Sequence, residues 1–311
     1  MKRLRVVVSL ITQDNDYQVE QAVAAEEAAR RLGVDVQVFY ADGDSIQQSQ
    51  QILAFVQAKP EDRPDGIILE PVGGPALPQV GRAAAASGIA WVILNREVEY
   101  VSQLRRAFRV PVFVVVNDNH EIGRIQGRQL AALLPDGGSV LYIQGPSEAD
   151  ASKLRTAGMY ETKPANVHVK TMKGSWTEAS AFKAVTAWLR LSTSQQSHID
   201  LIAAQNDAMA AGAKKAFQQF SYEGEGRDRW VSLPFLGVDG LPKTGQAWVR
   251  SSVLTATIVT PPIAGTAVDM LIRALQTHAM PPETTLVTAH SFPELSALGG
   301  PKKTGHASSG D

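Results

Sequence analysis

The sequence predicts an α/β protein of two doubly wound parallel-sheet lobes, and three observations carry that reading. Strand-like and helix-like segments alternate along most of the chain, the alternation runs through twice, and 311 residues exceed the usual size of one domain. Strict β-α alternation marks parallel sheets covered on both faces, with right-handed crossovers between neighbouring strands.

The first series opens with a strand over Arg5 to Ile11, whose β-branched run suits a buried parallel strand. A helix follows from Gln18 to Leu32, with apolar residues at helical spacing and Gly33 placed to close it. Next come the strand VDVQVFYA, the helix SIQQSQQILAFVQA, the strand GIILEPV, the helix PALPQVGRAAAAS, and the strands IAWVILNRE and VPVFVVVND. The second series runs from a helix over His120 to Leu134 through strand GSVLYIQG, helix SKLRTAGMYET, strand NVHVKTM, helix TEASAFKAVTAWLRL and strand IDLIAAQ. A helix beginning near Asp207, the strand VSLPFLGVDG, a helix near Gly245, the strand VLTATIVT and a helix over Pro262 to Gln276 complete it. The closing GGPKKTGHASSGD is small and polar, so residues 301–311 are expected to be a disordered tail.

Composition removes several classes of function. Thirty basic residues against 31 acidic ones leave a formal net charge of -1, which supplies no electrostatic footprint for nucleic acid or anionic membrane. With no cysteine there is no disulfide, thiolate metal site or cysteine nucleophile. The six histidines are scattered without HxxxH spacing, so no metal is expected. The basic start MKRLR precedes a short apolar run broken by Ser9, which reads as a strand and not as a signal peptide, and no segment has the length of a membrane span.

Ligands of open α/β sheets bind outside the carboxyl ends of the strands, so the polar groups there are the candidates. Ser9 with Tyr17 beyond it, Glu70, Asn95 with Arg96, Gln205 with Asn206, and Asp239 all fall at or just after predicted strand ends. Arg155 and Trp176 lie in loops or first helix turns on the same rim. Guanidinium donors, amide and carboxylate acceptors and flat aromatic faces are the groups that hold a polyhydroxylated ring. Each also has an ordinary reading: Arg96 can pair with Glu97 or Glu99, Asp239 before Gly240 suits a turn, and Trp176 suits a core. Within QND, Asn206 is expected to face ligand, while Asp207 is expected to cap the helix that follows.

In this order, VVVSLITQDNDY, IAWVILNRE, the Arg155 to Gly158 turn, AAQNDAMAAGA, FLGVDG and LTATIV resemble the type 1 periplasmic binding proteins of the ribose-binding kind. Those share their fold with lactose-repressor-type effector domains, and the resemblance covers about Arg5 to Leu298. It implies two lobes joined by three hinge crossovers, near Asn117 to Asn119, Ile258 to Pro261 and Pro282 to Leu286, that close on a sugar. The lobes would comprise residues 1–118 with 261–284, and 119–260 with 285–300. It implies ligand contacts at Ser9, Tyr17, Glu70, Asn95, Arg96, Arg155, Trp176, Asn206, Asp239 and Thr260. Three of these depart from the family's habit: Glu70 stands where Asn is common, Asn95 where Asp is usual, and Thr260 where Gln is frequent.

No GxSxG elbow, Walker loop or GxGxxG is present, and nothing in the sequence fixes Glu70 and Asp239 at the separation of a glycosidase pair, so no enzyme activity, catalytic residue or cofactor is expected. The expectation is a monomeric solute-binding protein of a carbohydrate ABC transporter, serving a permease or membrane receptor. The alternative is a ligand-sensing domain protein that reports sugar occupancy to a regulator or membrane receptor. A periplasmic location is expected, with the signal absent from the given chain; a cytoplasmic one is the alternative.

Overall fold

The computed structural model describes residues 3–73, 77–96, 98–195, 197–220 and 230–299. In chain order the elements are β1 (Arg5–Leu10), α1 (Asp16–Leu32), β2 (Asp35–Tyr40), α2 (Ser45–Gln57), β3 (Gly66–Leu69), α3 (Leu77–Ala86), β4 (Ala90–Leu94), α4 (Tyr100–Ala107) and β5 (Val112–Asn117). There follow α5 (Asn119–Leu133), β6 (Gly138–Gln144), α6 (Asp150–Thr162), β7 (Val167–Lys173), α7 (Glu178–Leu189), α8 (Ser192–Gln195), β8 (Leu201–Ala204), α9 (Asp207–Gln219), β9 (Phe235–Leu236), α10 (Gly245–Arg250) and β10 (Thr257–Val259). The chain ends on α11 (Ala264–Thr277), β11 (Thr284–Val287), β12 (His290–Phe292) and α12 (Leu295–Leu298).

Among the described residues, two compact units divide these elements: residues 3–118 with 261–288, and residues 119–260 with 289–299. The first unit holds a six-stranded parallel sheet in the order β11-β5-β4-β3-β1-β2. Alternate residues of each strand enter different cores, as a sheet buried on both faces requires. Val6, Val8, Leu10, Ile68, Val92 and Val115 pack with α1 and α11, while Val7, Ile67, Leu69, Trp91, Ile93 and Val114 pack with α2, α3 and α4. The order reverses between β1 and β3, which makes their carboxyl ends the switch point.

In the second unit the order is β7-β6-β8-β9, all parallel, so its switch point lies between β6 and β8. Leu141, Ile143, Ile202 and Ala204 face a core with α7 and α9, and Val140, Tyr142, Leu201 and Ala203 face one with Leu130 of α5 and Met159 of α6. Parallel bridges from Leu236 to Ala256 and from Asp239 to Val259 bring β10 beside β9, and β12 then runs antiparallel to β10.

Several expectations change. Asn15 caps α1 by accepting from the amides of Tyr17 and Gln18, so the helix starts at Asp16 and Tyr17 sits in its first turn. The segment between β4 and β5, read only as a break between strands, forms α4, held by buried Val101 and Leu104 one turn apart. The strand expected over VSLPFLGVDG shrinks to Phe235–Leu236, since Pro234 before it has no N–H to give a ladder. The expected third crossover at 282–286 is largely β11, which pairs in register with Val114 to Asn117, so this segment belongs to the first unit and the chain leaves that unit after Thr288. The expected tail at 301–311 lies outside the described residues.

Close packing of α5 and α6 positions Arg155. A β-carbon on Gly158 would come within 2.1 Å of the His120 carbonyl oxygen, and one on Gly123 within 2.1 Å of the Arg155 carbonyl oxygen. Both contacts are to backbone, so the helices would have to separate. Gly158→Ala is expected to lower stability by about 1–3 kcal/mol despite alanine's better helix propensity. Chemical denaturation checks this: an unchanged midpoint would mean that the helices have room.

Candidate ligand-binding site

In the first unit, Ser9, Glu70 and Asn95 follow one another at the carboxyl ends of β1, β3 and β4. Glu70 is 8% exposed, and its Oε2 accepts from Gln18 Nε2 at 2.8 Å and from Asn95 Nδ2 at 3.1 Å. Asn117 Nδ2 donates to the Tyr17 hydroxyl at 2.7 Å and lies 3.5 Å from Asn95 Oδ1; the Tyr17 hydroxyl donates to the Pro261 carbonyl at 3.3 Å. Tyr17, Asn95 and Glu70 are thus one hydrogen-bonded row along the rim. Arg96 is exposed beside it, and its charge acts on Glu70. Burial raises the Glu70 carboxyl above the ordinary carboxylate range; the two amide donors and Arg96 oppose that shift.

Ser9 is fully engaged inside the wall. Its hydroxyl accepts from Gln48 Nε2 at 3.1 Å, and the same nitrogen donates to the Glu70 carbonyl at 2.9 Å. Gln48 Oε1 accepts from Val72 N. Gln48 therefore ties together the strand ends on either side of the switch point.

In the second unit, Arg155 is 8% exposed. Its Nε donates to Asn119 Oδ1 at 2.9 Å and Nη1 donates to the Gln205 carbonyl, while the guanidinium carbon lies 5.6 Å from the centre of the Trp176 ring. Asn206 Nδ2 donates to the Trp176 carbonyl at 2.9 Å. Thr260 is buried, and its amide and hydroxyl both donate to the Asp239 carbonyl, at 3.0 and 3.4 Å. Arg155, Trp176 and Asn206 form one group, and Asp239 with Thr260 a second.

Within QND the cap expected of Asp207 is made by Asn206, and Asp207 turns inward instead. Asn206 is the N-cap of α9: its Oδ1 accepts from Met209 N at 2.9 Å. Asp207 is buried, with Oδ2 accepting from Gly240 N and Oδ1 from the Thr257 hydroxyl, both at 2.7 Å. Its carboxyl sits well above the ordinary range because it is buried and because the Asp239 carboxylate is near; the Thr257 and Gly240 bonds and the Arg155 charge offset part of this. Gln205 is a structural hub that accepts from Gly145 N and donates toward Tyr142 Oη, the Ser152 carbonyl and Thr156 Oγ1.

Backbone strain concentrates on the same residues. Among the described residues, six other than glycine have positive φ, and three of them are Asn95 (φ 56), Trp176 (φ 65) and Asp239 (φ 107). A bulky tryptophan in this region costs about 1–3 kcal/mol, which persists only where the surroundings over-determine it, and such residues cluster at ligand clamps. The amides of Gln18, Gln48, Asn117 and Asn119, which hold Glu70, Ser9, Tyr17 and Arg155, were not among the expected site residues. Gln18 and Asn119 stand in the first turns of helices that follow strands, which is the one signal that marked them.

The periplasmic binding protein domain family matches residues 6–279, and the chain belongs to that family. It is 29% identical over 201 residues to the putative rhizopine-binding protein of Rhizobium meliloti, an alignment covering 62% of this chain and 60% of that one. With the ribose import binding protein RbsB of Bacillus subtilis it shares 25% identity over 265 residues, 84% of this chain and 77% of that one. An ABC transporter periplasmic solute binding protein from Actinobacillus succinogenes, solved with bound D-allose, superposes with a TM-score of 0.79 at 19% identity over 95% of this chain and 99% of that one. That likeness establishes the fold: two lobes of the type 1 periplasmic binding protein class.

Two substitutions separate the roles of Asn206 and Asp207. Asn206→Ala is expected to cost about 0.5–2 kcal/mol of stability through the lost cap, read as an earlier melt of the ligand-free protein; an unmoved melt would show that the cap is dispensable. Asp207 binds its proton more tightly when folded, so above its ordinary value of 3.8 the native state holds more protons than the unfolded chain and stability falls as pH rises through the window up to the raised value. Asp207→Asn removes this term while its amide can still serve Gly240 N and the Thr257 hydroxyl. Its stability relative to the parent is therefore expected to rise as pH is raised above about 4 in denaturant titrations. A flat difference would mean that Asp207 ionises normally in the fold.

Proposed function

We propose that this chain is the solute-binding component of a carbohydrate ABC transporter, which takes a small sugar or polyol at the strand-end rims of its two lobes by hinge closure and delivers it to a membrane permease. The observation that carries the reading is the pair of switch points, each lined by strand-end groups suited to hydroxylated rings. Tyr17, Glu70, Asn95 and Arg96 supply donors and acceptors from the first unit; Arg155, Trp176, Asn206 and Asp239 supply them, with one aromatic face, from the second. Ser9 and Thr260 act within the walls of those rims. Family membership supports binding without catalysis, and the names of the relatives support a carbohydrate. The protein acts as a monomer in the periplasm.

Ligand that binds only the folded state adds about 2.7 kcal/mol of stability at 100 times its dissociation constant. A screen of pentoses, hexoses and polyols is expected to contain members that raise the melting temperature by several degrees, at about 2–4 °C per kcal/mol for domains of this size. Trp176→Ala and Asn95→Ala, one in each unit, are both expected to weaken the same hit. If amino acids or nucleotides shift the melt and no carbohydrate or polyol does, the reading is wrong.

A further inference from the structure

Glu70 carries more chemistry than a neutral sugar needs. Its Oε2 takes both protein donors, from Gln18 and Asn95, while Oε1 accepts no hydrogen bond among the described residues. The side chain is nonetheless more than nine-tenths buried at the end of β3, at the switch point of the first unit. Oε1 is not among the enclosed polar atoms that lack a partner, so it keeps access from outside the wall, where a cation can complete the carboxylate. Among the described residues Arg96 is the only charged group recorded as acting on it, and Arg96 is itself exposed, where water screens its charge. An amide would serve a neutral hydroxyl equally well by donating and accepting, whereas a carboxylate only accepts.

We propose that Glu70 Oε1 receives a ligand ammonium, so that the preferred solute is a polyhydroxylated ring bearing a free amine: an amino sugar or aminocyclitol. The inference rests on the carbohydrate reading above and narrows it. The two protein donors hold Oε2 and so fix the plane of the carboxylate. The remaining oxygen is then presented in one direction, and a protonated amine satisfies it with a charge-assisted hydrogen bond.

The test uses the full chain in calorimetric titrations with glucosamine, galactosamine and an aminocyclitol, each beside its neutral parent and its uncharged N-acetyl derivative. The amine is expected to bind about tenfold or more tightly than the neutral parent, and N-acetylation is expected to abolish that advantage. In Glu70→Gln the amide oxygen can keep the bonds from Gln18 and Asn95 while the nitrogen replaces Oε1, turning an acceptor into a donor. The amine-to-parent affinity ratio is expected to fall to about one or below in that variant. Neutral sugars that bind as well as or better than the amines overturn the ammonium assignment and leave the carbohydrate reading standing. An amine preference that survives N-acetylation, or that persists in Glu70→Gln, also overturns it, because the charge on Glu70 is then not what is read. Binding of neither set overturns the ammonium assignment, while the carbohydrate reading is decided separately by the wider screen of pentoses, hexoses and polyols. The N-acetyl comparison needs no variant, so the assignment stays open to refutation even if Glu70→Gln folds poorly.

Discussion

Where a doubly wound sheet reverses its strand order, neighbouring strand ends part and leave backbone groups that water or side chains must satisfy, and each unit meets this constraint with a buried glutamine. Gln48 bridges Ser9, the Glu70 carbonyl and Val72 N between β1 and β3. Gln205 bridges Gly145, Tyr142, Ser152 and Thr156 between β6 and β8. An unpaired buried donor or acceptor costs about 1–3 kcal/mol, so these amides are needed before any ligand group can be placed. Glu70 stands one residue and Asn206 two residues beyond strands that those amides fix, and Arg155 is anchored on the Gln205 carbonyl itself.

The two rims are built with different electrostatics. In the first, the buried carboxylate of Glu70 lies at the surface of its wall and shares amide donors with a neutral row. In the second, the buried carboxyl of Asp207 is turned inward onto Gly240 and Thr257, and the cation Arg155 lies against an indole face. The second rim therefore has its charge braced by the fold. The first leaves one carboxylate oxygen without a protein donor among the described residues.

The alternation of apolar strands and helices made both sheets legible in the sequence, because strands buried on both faces read as unbroken Val, Ile and Leu runs. The polar groups at their ends were legible for the same reason: they are where the runs stop. The order of duties in QND was not, since Asn and Asp are equally good helix caps. What decides it is distant in sequence: β-carbons at Gly237 or Gly245 would lie 2.0 Å from the Asp207 carboxylate oxygens, so those two glycines make the space into which Asp207 turns. Helix α4 escaped notice because only Val101 and Leu104 are buried in its eight residues, and the end of the first unit was misplaced because β11 alternates exposed and half-buried residues at a sheet edge.

Helix α11, from Ala264 to Thr277, fills the first unit's core through Ala267, Val268, Leu271 and Ile272, and its first amide donates to Gln21 of α1. The apolar face that it covers belongs to strands made at the beginning of synthesis. At about 5–20 residues per second, a ribosome needs many seconds to travel from β5 to α11. During that interval the nascent first unit lacks a wall of its core, and Val6, Val8, Ile68 and Val92 have only part of their partner surface, that of α1. The second unit lies between these two parts in sequence and also waits for β12, so neither can finish as an independent vectorial unit. A chain wired in this way reaches its fold late and nearly all at once, and depends until then on whatever keeps an unfinished sheet from meeting another.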